Sequence, residues 1–495
     1  MRAFVFTLLL ASCGPTETDT DTAGGTDADG DGHTSDVDCD DHDATIHPEA
    51  QEVCNELDDD CDGNTDEDAT DAATWYRDDD GDGYGSDALL TQACAQPSGH
   101  VDVGGDCDDQ DEQRSPDAVD VCDGVDNDCD GEVDYEIDVP ADYALITDAI
   151  AAASAGDRVC VLAGTYVETV TLDKEIILEG EDRDTTVIDA GGSAPVLSID
   201  ESGSPAVVSG FTLTGGLGSS AVALRSTSSD ALIFDLLLED NAVEGEGQCV
   251  GALMSVDGGS PVMDGIEIRD NAVVCPDVWG LVYVGGGARA ELNHVRLTGN
   301  TITADREVHG GFTVYSGSEL ILENLVIAGN AIGASSGGAP AIKAVALASE
   351  GGSISVTNAT IHGNIVDAGA GVVQAGVVHD TSGGISLANV SISSNAVSGA
   401  SIVATVNQGS NDYSYCNIHD QAEPAFASMS DPRGAGGNIE GEPGFADVSA
   451  TDPARWDMTL QAGSGMRDQG LPHLSDADGS RSDIGAYGGP GSDHW

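Results

Sequence analysis

The amino-acid sequence predicts an all-β protein whose larger part is a parallel β-helix, a solenoid, preceded by small acidic repeats. The β-helix is predicted because short β-branched segments separated by Gly, Asn and Ser continue from about residue 140 onward and carry one recurring phrase. The acidic repeats are predicted because residues 27–138 carry one spacing of Asp, Gly and Cys twice. Near Pro140 the density of Asp falls sharply, which marks the change between the two kinds of structure.

The length and the charge of the chain limit what it can be. At 495 residues it is too long for a single compact core and is expected to divide into two or more domains. Asp and Glu number 89 against 16 Lys and Arg, which gives a formal net charge of -73. Such a surface repels nucleic acid and anionic lipid, so neither is an expected partner.

The N-terminus has the pattern of an export signal. A basic residue, Arg2, precedes an apolar run from Ala3 to Ala11 that is too short to cross a bilayer. Residues 1–12 are therefore predicted to be a signal peptide.

The residues after the apolar run resemble a bacterial lipobox. Leu10-Ala11-Ser12-Cys13 implies cleavage before Cys13 and acylation of its thiol, and the Gly14 that follows implies a lipid-anchored protein of the bacterial outer membrane or cell surface. Residues 13–26, rich in Thr, Asp and Gly, are expected to be a flexible tether. An ordinary signal peptide with an incidental Cys is the alternative.

Two acidic repeats are predicted, residues 27–70 and residues 71–138. Each opens with an Asp-Gly loop, continues with Asp-Cys-Asp-Asp and closes with two Cys that bracket six residues. The interval from the middle landmark to the closing one is the same in both, Cys39 to Cys54 and Cys107 to Cys122. A disordered acidic tail, which composition alone favours, does not repeat its spacing in this way.

The acids within the repeats have the spacing of calcium loops. Asp at positions 1, 3 and 5, Gly at position 6 and a backbone carbonyl at position 7 wrap around a Ca²⁺ ion, which takes about six to eight oxygen ligands. Position 12 is Asp38 in the first loop but Leu89 in the loop of the second repeat, where Asp106, Asp109 or Asp111 is expected instead. The predicted ligands are Asp27, Asp29, Asp31, His33, Asp38, Asp58, Asp60, Asp62, Asp66, Asp78, Asp80, Asp82, Tyr84, Asp106, Asp109, Asp111, Asp126, Asp128, Asp130 and Asp134.

Residues 27–138 resemble the MopE-type metal-binding repeats of bacterial surface proteins. The second repeat matches the family phrases DxDGDG, DCDD and CxGxDxDCDG closely, whereas the first has Asn55-Glu56 where the second has Asp123-Gly124. The resemblance implies several bound ions, and oxygen-rich loops favour Ca²⁺. Copper is the alternative metal, and its candidate ligands are His33, His42, His47 and Trp75.

The cysteine content is typical of an exported protein in an oxidising compartment. Of 12 Cys in the chain, lipidation of Cys13 would leave an odd number, so at least one thiol is expected to be unpaired. Cys39 has no assigned partner, because the first repeat lacks a counterpart of Cys94. The expected pairs are Cys54–Cys61, Cys94–Cys107, Cys122–Cys129 and, one coil apart in the solenoid, Cys249–Cys275.

The predicted solenoid spans residues 140–440 and begins with a capping helix from Ile146 to Ala153. Along it an apolar pair, two small or polar residues and an Asn recur at steps of about 25 to 35 residues. Asn tolerates the left-handed backbone of a tight turn, and stacked Asn side chains can hydrogen-bond from coil to coil. An array of immunoglobulin-like domains is the alternative, but it requires longer alternating strands. The recurring residues are Asn241, Asn271, Asn300, Asn330, Asn364 and Asn395, with Gly216 and Gln421 in the same frame.

The solenoid resembles the right-handed parallel β-helices of the pectin-lyase-like family. The resemblance rests on Ala149-Ile150, Ala163 to Tyr166, Ile177 to Gly180 and Val187 to Asp189. Residues 441–495, predicted as a C-terminal capping segment, resemble a bacterial surface subgroup through Asp476 to Tyr487. The resemblance implies the fold and leaves the function open, because lyases, hydrolases and adhesins share it.

The loops after the Asn turns hold the candidate binding residues. Trp279, Arg306 and His309 lie on neighbouring coils, and Trp and Arg side chains suit stacking and hydrogen bonding to a sugar. We therefore expect a non-enzymatic face for adhesion or for binding a polysaccharide or another surface component. A polysaccharide lyase or glycoside hydrolase on the same face is the alternative, and its candidate carboxylates are Asp264, Glu267, Asp270, Glu291, Glu319 and Glu323.

Overall fold

The computed structural model describes residues 25–118, 120, 122, 125–131, 137–200, 205–334, 341–367, 375–398, 402–407, 412–419, 426–427, 430–476 and 478–488. These residues form two compact units. Unit 1 comprises the described residues up to Asp120 together with 126–131, and unit 2 comprises the remainder. The predicted signal peptide, Cys13, Asp134 and Gln421 lie outside the described residues.

Unit 1 consists of loops around one small sheet. Among its described residues, Ile46 and Ala69 are the buried apolar side chains. So little apolar burial does not stabilise a fold without covalent cross-links or bound ions. The four strands pair in the order His100–Val101, Ala73–Arg77, Gly85–Ala93 and Gly104–Asp106.

Three disulfides cross-link unit 1, and they correct the predicted pairing. In place of the predicted Cys54–Cys61, Cys94–Cys107 and Cys122–Cys129, the bonds are Cys39–Cys61, Cys54–Cys94 and Cys107–Cys129. In unit 2 the bonds are Cys122–Cys160 and the expected Cys249–Cys275, and the free cysteine among the described residues is the buried Cys416.

The geometry of the acidic loops explains the different pairing. Cys61 lies between Asp60 and Asp62, and a loop that turns alternate carboxylates inwards turns the intervening side chain outwards. Cys61 has φ 59° there. Its Sγ accepts a hydrogen bond of 3.1 Å from the backbone N–H of Cys39. Cys54 then bonds to Cys94, the residue after strand Gly85–Ala93.

Unit 2 begins with a helix, Ile146–Ala152, one residue shorter than predicted. Its buried residues, Ile146, Ala149 and Ile150, close the apolar end of the first coil. At the C-terminal end, Lys174 Nζ donates to the carbonyl oxygens of Ile150, Ala151 and Ala153 at 2.8–2.9 Å. A cation at this position complements the partial negative charge of the helix C-terminus.

After the helix the chain winds into parallel coils, which confirms the predicted parallel β-helix. Successive coils contribute strands to three parallel sheets, sheets 1 to 3. Sheet 3 is the smallest and has one strand from each of seven coils. Sheet 1 consists of Ile137–Val139, Arg158–Val161, Gly164–Val167, Ile177–Gly180, Thr186–Asp189, Val207–Thr214, Leu232–Glu239, Val262–Arg269, Arg289–Thr298, Glu319–Ala328, Ser353–His362, Ile385–Ser393, Asp412–Ser414 and Asn417–His419.

The other two sheets complete each coil. Sheet 2 consists of Val170–Leu172, Leu197–Asp200, Leu224–Thr227, Gln248–Val250, Met254–Asp257, Asp277–Trp279, Val282–Gly285, Glu307–His309, Phe312–Tyr315, Ala341–Ala344, Leu347–Glu350, Ala375–Asp380, Ile402–Asn407 and Phe426–Ala427. Sheet 3 consists of Leu217–Gly218, Ala242–Glu244, Ala272–Val274, Thr301–Ala304, Ala331–Ala334, Ile365–Asp367 and Ala396–Ser398.

In-register pairing places like residues above one another in the core. Leu238, Ile268, Leu297, Ile327, Ile361 and Ile392 form one continuous buried column across sheet 1. Within strand Glu319–Ala328 the positions that face the solenoid core shift from even to odd at Asn324, where φ is 51°. This left-handed residue bends the strand while keeping apolar side chains inward, and Gly265, His294, Asn358 and Asn389 adopt positive φ at the same place in their coils.

The recurring Asn residues form the predicted ladder. The Nδ2 of Asn300 donates to Asn330 Oδ1 at 2.9 Å and to the carbonyl of Ile268 at 2.8 Å. The Nδ2 of Asn271 donates in turn to Asn300 Oδ1 at 2.9 Å. The same contacts continue from Asn241 to Asn395, and Gly216 joins through its backbone N–H. All six Asn are buried, so each amide satisfies backbone groups that water cannot reach.

The described residues of the C-terminal segment, 441–488, do more than cap the last coil. The Nη1 of Arg296 donates to the hydroxyl of Tyr487 at 3.0 Å, and Asn389 Oδ1 accepts from the N–H of Leu471 at 2.6 Å. The segment therefore lies across the outer face of sheet 1. The outward-facing apolar Val326 and Ala328 require this cover, because they would otherwise contact water. The segment contains the hairpin Phe445–Asp447 and Asp457–Leu460 and the 3-10 helix Pro453–Arg455, and it buries Val326, Ala328, Phe445, Met458, Met466, Ile484 and Ala486 in one cluster.

Replacement of Asn300 by Ala tests the ladder. We expect Asn300→Ala to lower the free energy of unfolding of unit 2 by about 2 to 4 kcal/mol, because buried backbone groups on two coils lose their partners. Urea denaturation followed by far-ultraviolet circular dichroism measures the change. Thr301→Ala is the matched control at the next, exposed position, and its effect should stay within about 0.5 kcal/mol. Equal effects of the two substitutions would refute a stabilising role for the ladder.

Candidate metal centres and the solenoid face

The first acidic loop brings together four of its predicted ligands. Carboxylate oxygens of Asp27, Asp29 and Asp31 lie within 4.8 Å of one another. The Oδ2 atoms of Asp29, Asp31 and Asp38 are buried and have no hydrogen-bond partner among the described residues. Asp27 holds the loop closed by accepting from the N–H of Gly30 at 2.7 Å. Buried carboxylate oxygens without donors are costly unless a cation binds them, so the loop has the character of a cation site.

The loop of the second repeat has the same construction. The Oδ2 atoms of Asp80, Asp82, Asp106 and Asp109 are buried without a partner among the described residues. Asp106 ends the strand Gly104–Asp106, which places it beside this loop although it stands 24 positions after Asp82 in the sequence. Of the three expected closing acids, Asp106 and Asp109 thus have buried carboxylate oxygens without a partner among the described residues.

The third candidate, Asp111, makes the same local turn contact as the loop acids. Its Oδ1 accepts a hydrogen bond from the N–H of Gln113 at 3.3 Å. Its ligand role stays a prediction.

The last acid of each Asp-Cys-Asp-Asp segment also ties the repeat together. Asp41 Oδ1 accepts from the N–H of Ala28 at 3.0 Å, and Asp109 Oδ1 accepts from the N–H of Asp79 at 2.9 Å. Sequence reasoning missed Asp41. Its equivalence to Asp109 in the repeated segment was the signal that could have identified it.

The third loop, which begins at Asp58, corrects one predicted ligand. Asp66 Oδ1 accepts from the backbone N–H groups of Asn55 and Glu56 at 2.9 and 3.0 Å, so it holds the chain rather than facing the loop. Glu67 instead lies with Asp60 and Asp62, with donor oxygens within 4.8 Å of one another. Both carboxylate oxygens of Glu67 are buried without a hydrogen-bond donor among the described residues.

Glu52 supports this third loop and was also missed from the sequence. Its carboxylate accepts from the N–H groups of Asp60 and Asp66, both at 2.9 Å, and it lies within 4.8 Å of Asp58 and Asp60. Asp120 takes the corresponding place in the second repeat, accepting from the N–H of Asn127 at 2.6 Å. Each of these two acids stands two residues before a repeat cysteine, which was the available signal.

The fourth loop begins at Asp126 and is described up to Gly131. Asp126 Oδ2 accepts from the N–H of Gly131 at 2.9 Å, while its Oδ1 is buried without a partner among the described residues. The N–H of Asp130 donates to Asp128 Oδ1 at 3.2 Å. These contacts repeat those of the loop at Asp58 and indicate the same kind of site.

Burial, together with mutual repulsion, raises the pKa of several acids in these loops. Burial and then the charges of Asp82, Asp78 and Asp109 raise the pKa of Asp80. The same causes, burial first, raise the pKa of Asp106, of Asp29 in the first loop and of Asp128 in the fourth. A bound cation relieves both the repulsion and the loss of hydration, because it replaces water as the partner of the carboxylates.

Of the candidate copper ligands, His33 and His47 contact each other and Trp75 contacts the backbone. The ring of His33 stacks on that of His47 with centroids 4.8 Å apart and planes 4° apart. The Nε1 of Trp75 donates to the carbonyl of Ala93 at 2.9 Å.

His33 and Tyr84 occupy position 7 of their calcium loops, where the predicted ligand atom is the backbone carbonyl oxygen. The backbone N–H groups of His33 and Tyr84 donate to Asp31 and Asp82, both at 2.8 Å.

The solenoid face predicted to bind glycan places Trp279 and His309 on adjacent strands of sheet 2. Trp279 is half-buried and stacks on His309 at 5.8 Å and on Tyr315 at 5.3 Å between centroids. His309 is fully buried beneath these rings, so it cannot contact a glycan directly, contrary to the expectation. Arg306 is exposed, and its Nη2 lies 2.5 Å from Asp277 Oδ2.

Tyr283 extends the aromatic row. Its ring centroid lies 5.5 Å from that of Tyr315. Burial and the nearby Glu350 raise the pKa of Tyr315 to about 12, so its hydroxyl stays protonated and can donate. Trp279, Tyr283 and Tyr315 thus form a platform of partly exposed rings, which we call the aromatic platform.

Comparison with known families bears on the acidic region. The family model described as "Putative metal-binding motif" (Cu-binding MopE) matches residues 38–67 and 106–135. The acidic repeats are MopE-type repeats. The matched residues contain both Asp-Cys-Asp-Asp segments and the loops that begin at Asp58 and Asp126. No curated protein matches the chain.

Solved structures resemble the solenoid. Pectin methylesterase from carrot is similar at 13% identity, over 57% of this chain and 89% of that chain, with a TM-score of 0.33. Pectin methylesterase PemA from Erwinia chrysanthemi is similar at 14% identity, over 67% of this chain and 100% of that chain, with a TM-score of 0.28. Proteins of this fold carry many activities, so identities this low transfer none of them.

The raised pKa values predict opposite pH responses with and without metal. In chelator, the acids of the loops have higher pKa values in the folded state than the ordinary Asp value of about 3.9. Unit 1 should therefore gain stability as the pH falls through those raised values. In excess Ca²⁺ it should lose stability over the same range, because the ligands must be deprotonated. Calorimetric melting in both conditions measures the two trends, and slopes of the same sign would contradict the assignment.

Proposed function

We propose that this protein is a calcium-binding protein of the cell surface, in which Ca²⁺ ions hold the acidic repeats in a folded state. One observation carries the proposal: among the described residues, buried carboxylate oxygens without donors converge in the loop that opens each repeat, most completely at Asp80, Asp82, Asp106 and Asp109. A site of this kind needs a cation that accepts many oxygen ligands at once.

The donor chemistry favours Ca²⁺ over copper and magnesium. The converging atoms in the loops are carboxylate oxygens, supplemented by backbone carbonyls, whereas copper prefers nitrogen and sulfur. Mg²⁺ demands a smaller octahedral shell and retains several waters, which suits a crowded set of carboxylates poorly. The ions would act as structural cross-links, because unit 1 has little apolar core to hold it.

Surface location is the second part of the proposal. The five disulfides are typical of an oxidising compartment outside the cytoplasm. No helix among the described residues is long and apolar enough to cross a membrane. The lipobox-like residues at Cys13 would supply a lipid anchor in a bacterial outer membrane.

The aromatic platform supports glycan binding by the solenoid. Trp279, Tyr283 and Tyr315 offer adjacent ring faces on neighbouring coils, and sugar rings stack on such faces. Arg306 is exposed beside this row and offers guanidinium donors. We infer a binding role in which the acidic repeats carry the solenoid and the platform contacts a polysaccharide.

A polysaccharide-cleaving activity is the alternative function. Asp264, Glu291 and Glu323 line one groove on sheet 1, and His294 Nδ1 lies 2.7 Å from Asp264 Oδ1. Paired carboxylates are the groups that glycoside hydrolysis requires. Incubation with acidic and neutral polysaccharides distinguishes the two roles, since cleavage shortens the polymer and binding alone leaves its length unchanged.

Replacement of single loop acids tests the calcium proposal. We expect Asp80→Asn to weaken Ca²⁺ binding at its loop by at least about tenfold and to lower the melting temperature of unit 1 in Ca²⁺, because a buried ligand oxygen is lost. Asp79→Asn is the matched control, since the neighbouring Asp79 pairs with Arg77 at the surface. Calorimetric titration of chelator-treated protein measures the affinity. Unchanged melting of the wild type on adding Ca²⁺ would refute the proposal.

Replacement of Trp279 tests the glycan face. We expect Trp279→Ala to weaken binding of a retained polysaccharide by about tenfold, since a stacked ring contributes about 1 to 1.5 kcal/mol. Val274→Ala removes an exposed apolar side chain from sheet 3 and should leave binding unchanged. Affinity electrophoresis in gels containing each polysaccharide measures retention. Equal retention of both variants would exclude the platform as the contact surface.

A further inference from the structure

A second set of ligand-type side chains lies beside the aromatic platform on sheet 2, remote in sequence from the acidic repeats. His309 Nε2 lies 3.4 Å from Glu307 Oε1 and 3.7 Å from Glu350 Oε1. His379 Nε2 lies 3.7 Å from the same Glu350 oxygen. Two imidazole nitrogens and two carboxylate oxygens from three successive coils thus converge on one small volume.

The burial of these groups is unusual for side chains of this polarity. His309 is 0% exposed and His379 is 5% exposed. Among the described residues, His309 Nε2, the nitrogen that faces the two carboxylates, has no hydrogen-bond partner. The contact of His309 Nδ1 with Thr313 Oγ1, at 3.4 Å, orients the His309 ring so that Nε2 faces the carboxylates. Native proteins rarely bury imidazoles without satisfying their nitrogens.

The three N···O separations fit ligands of a shared metal ion better than hydrogen bonds. The N···O separations of 3.4 and 3.7 Å exceed the usual hydrogen-bond range. Ligands about 2.0 to 2.1 Å from a tetrahedral ion lie about 3.4 Å from one another. The observed separations are therefore close to those that a shared tetrahedral ion imposes on its ligands.

The strand register holds this arrangement in place. Tyr315 pairs with Glu350 across sheet 2, and Ala348 pairs with His379. Glu350 and His379 consequently stand on the outward side of adjacent strands. Gly311 begins the turn from the strand of His309 to that of Tyr315, and a Cβ there would come within 2.2 Å of the carbonyl oxygen of Ala346. The close approach of the coils at this corner requires Gly.

We propose that His309, His379, Glu350 and Glu307 bind one Zn²⁺ ion. Mixed imidazole and carboxylate donors in a tetrahedral arrangement suit Zn²⁺, whereas the loops of unit 1 offer oxygen ligands and suit Ca²⁺. The positive charge of Lys343 acts on Glu307 and His379, and the negative carboxylates of Glu307 and Glu350 offset it. The site would join three coils beside the aromatic platform, where the His309 ring stacks on that of Trp279.

Zinc titration of the full chain in excess Ca²⁺ tests the proposal, because Ca²⁺ occupies the acidic loops. We expect one Zn²⁺ per chain to bind the wild type, and His379→Gln and Glu350→Gln each to weaken that binding by at least about tenfold. His419→Gln is the matched control, since His419 also lies near a carboxylate, with its Nε2 3.6 Å from Glu442, but belongs to sheet 1 rather than to sheet 2. Its Zn²⁺ affinity should equal that of the wild type.

Zinc K-edge X-ray absorption of the wild type provides a second measurement that does not depend on the variants folding. A first shell containing two imidazole nitrogens supports the site. A shell of oxygen alone, absence of Zn²⁺ binding in Ca²⁺, or unchanged affinity in folded His379→Gln and Glu350→Gln would overturn it. Circular dichroism of each variant establishes whether it is folded.

Discussion

In-register stacking of parallel coils is the constraint on which the rest of unit 2 depends. Backbone N–H and C=O groups of one coil are satisfied by the next, so each residue lies over its counterpart in the neighbouring coil. The buried column from Leu238 to Ile392 follows from this repetition, as does the Asn ladder from Asn241 to Asn395. The side-chain amide of a ladder Asn donates a hydrogen bond to one neighbouring coil and accepts one from the other. An apolar side chain can do neither.

Unit 1 is stabilised in a different way from the solenoid. Its described residues bury little apolar surface and hold many like charges close together. Disulfides shorten the loops, and the backbone N–H groups that point at Asp27, Asp58 and Asp126 offset part of the repulsion. The remaining buried carboxylate oxygens are what a divalent cation would neutralise. Folding and ion binding are thus expected to be one equilibrium in this unit.

The same register that builds the core also assembles the outer surface of sheet 2. Trp279 lies beside His309 because their strands pair, and Glu350 lies beside Tyr315 for the same reason. Residues separated by about one coil in sequence become neighbours within one surface. A solenoid can therefore build a binding surface by changing outward residues while the inward ones preserve the fold.

Features that repeat along the chain were predictable from the sequence by itself. The Asn period indicated the parallel β-helix, and the repeated Asp, Gly and Cys spacing indicated metal-binding loops, because each repeat faces the same physical environment. Ligands within one short loop, such as Asp78, Asp80 and Asp82, were predictable because local turn geometry alone brings them together.

The tertiary structure decided every feature that depends on contacts between distant residues. The position of Asp106 beside the loop that begins at Asp78, that of Glu67 beside Asp60 and the bond between Cys54 and Cys94 each depend on the folded path of the chain. The burial of His309 beside His379 depends on the pairing of three coils. The spacing of residues along the sequence does not reveal these contacts, because they form only when distant segments of the chain pack together.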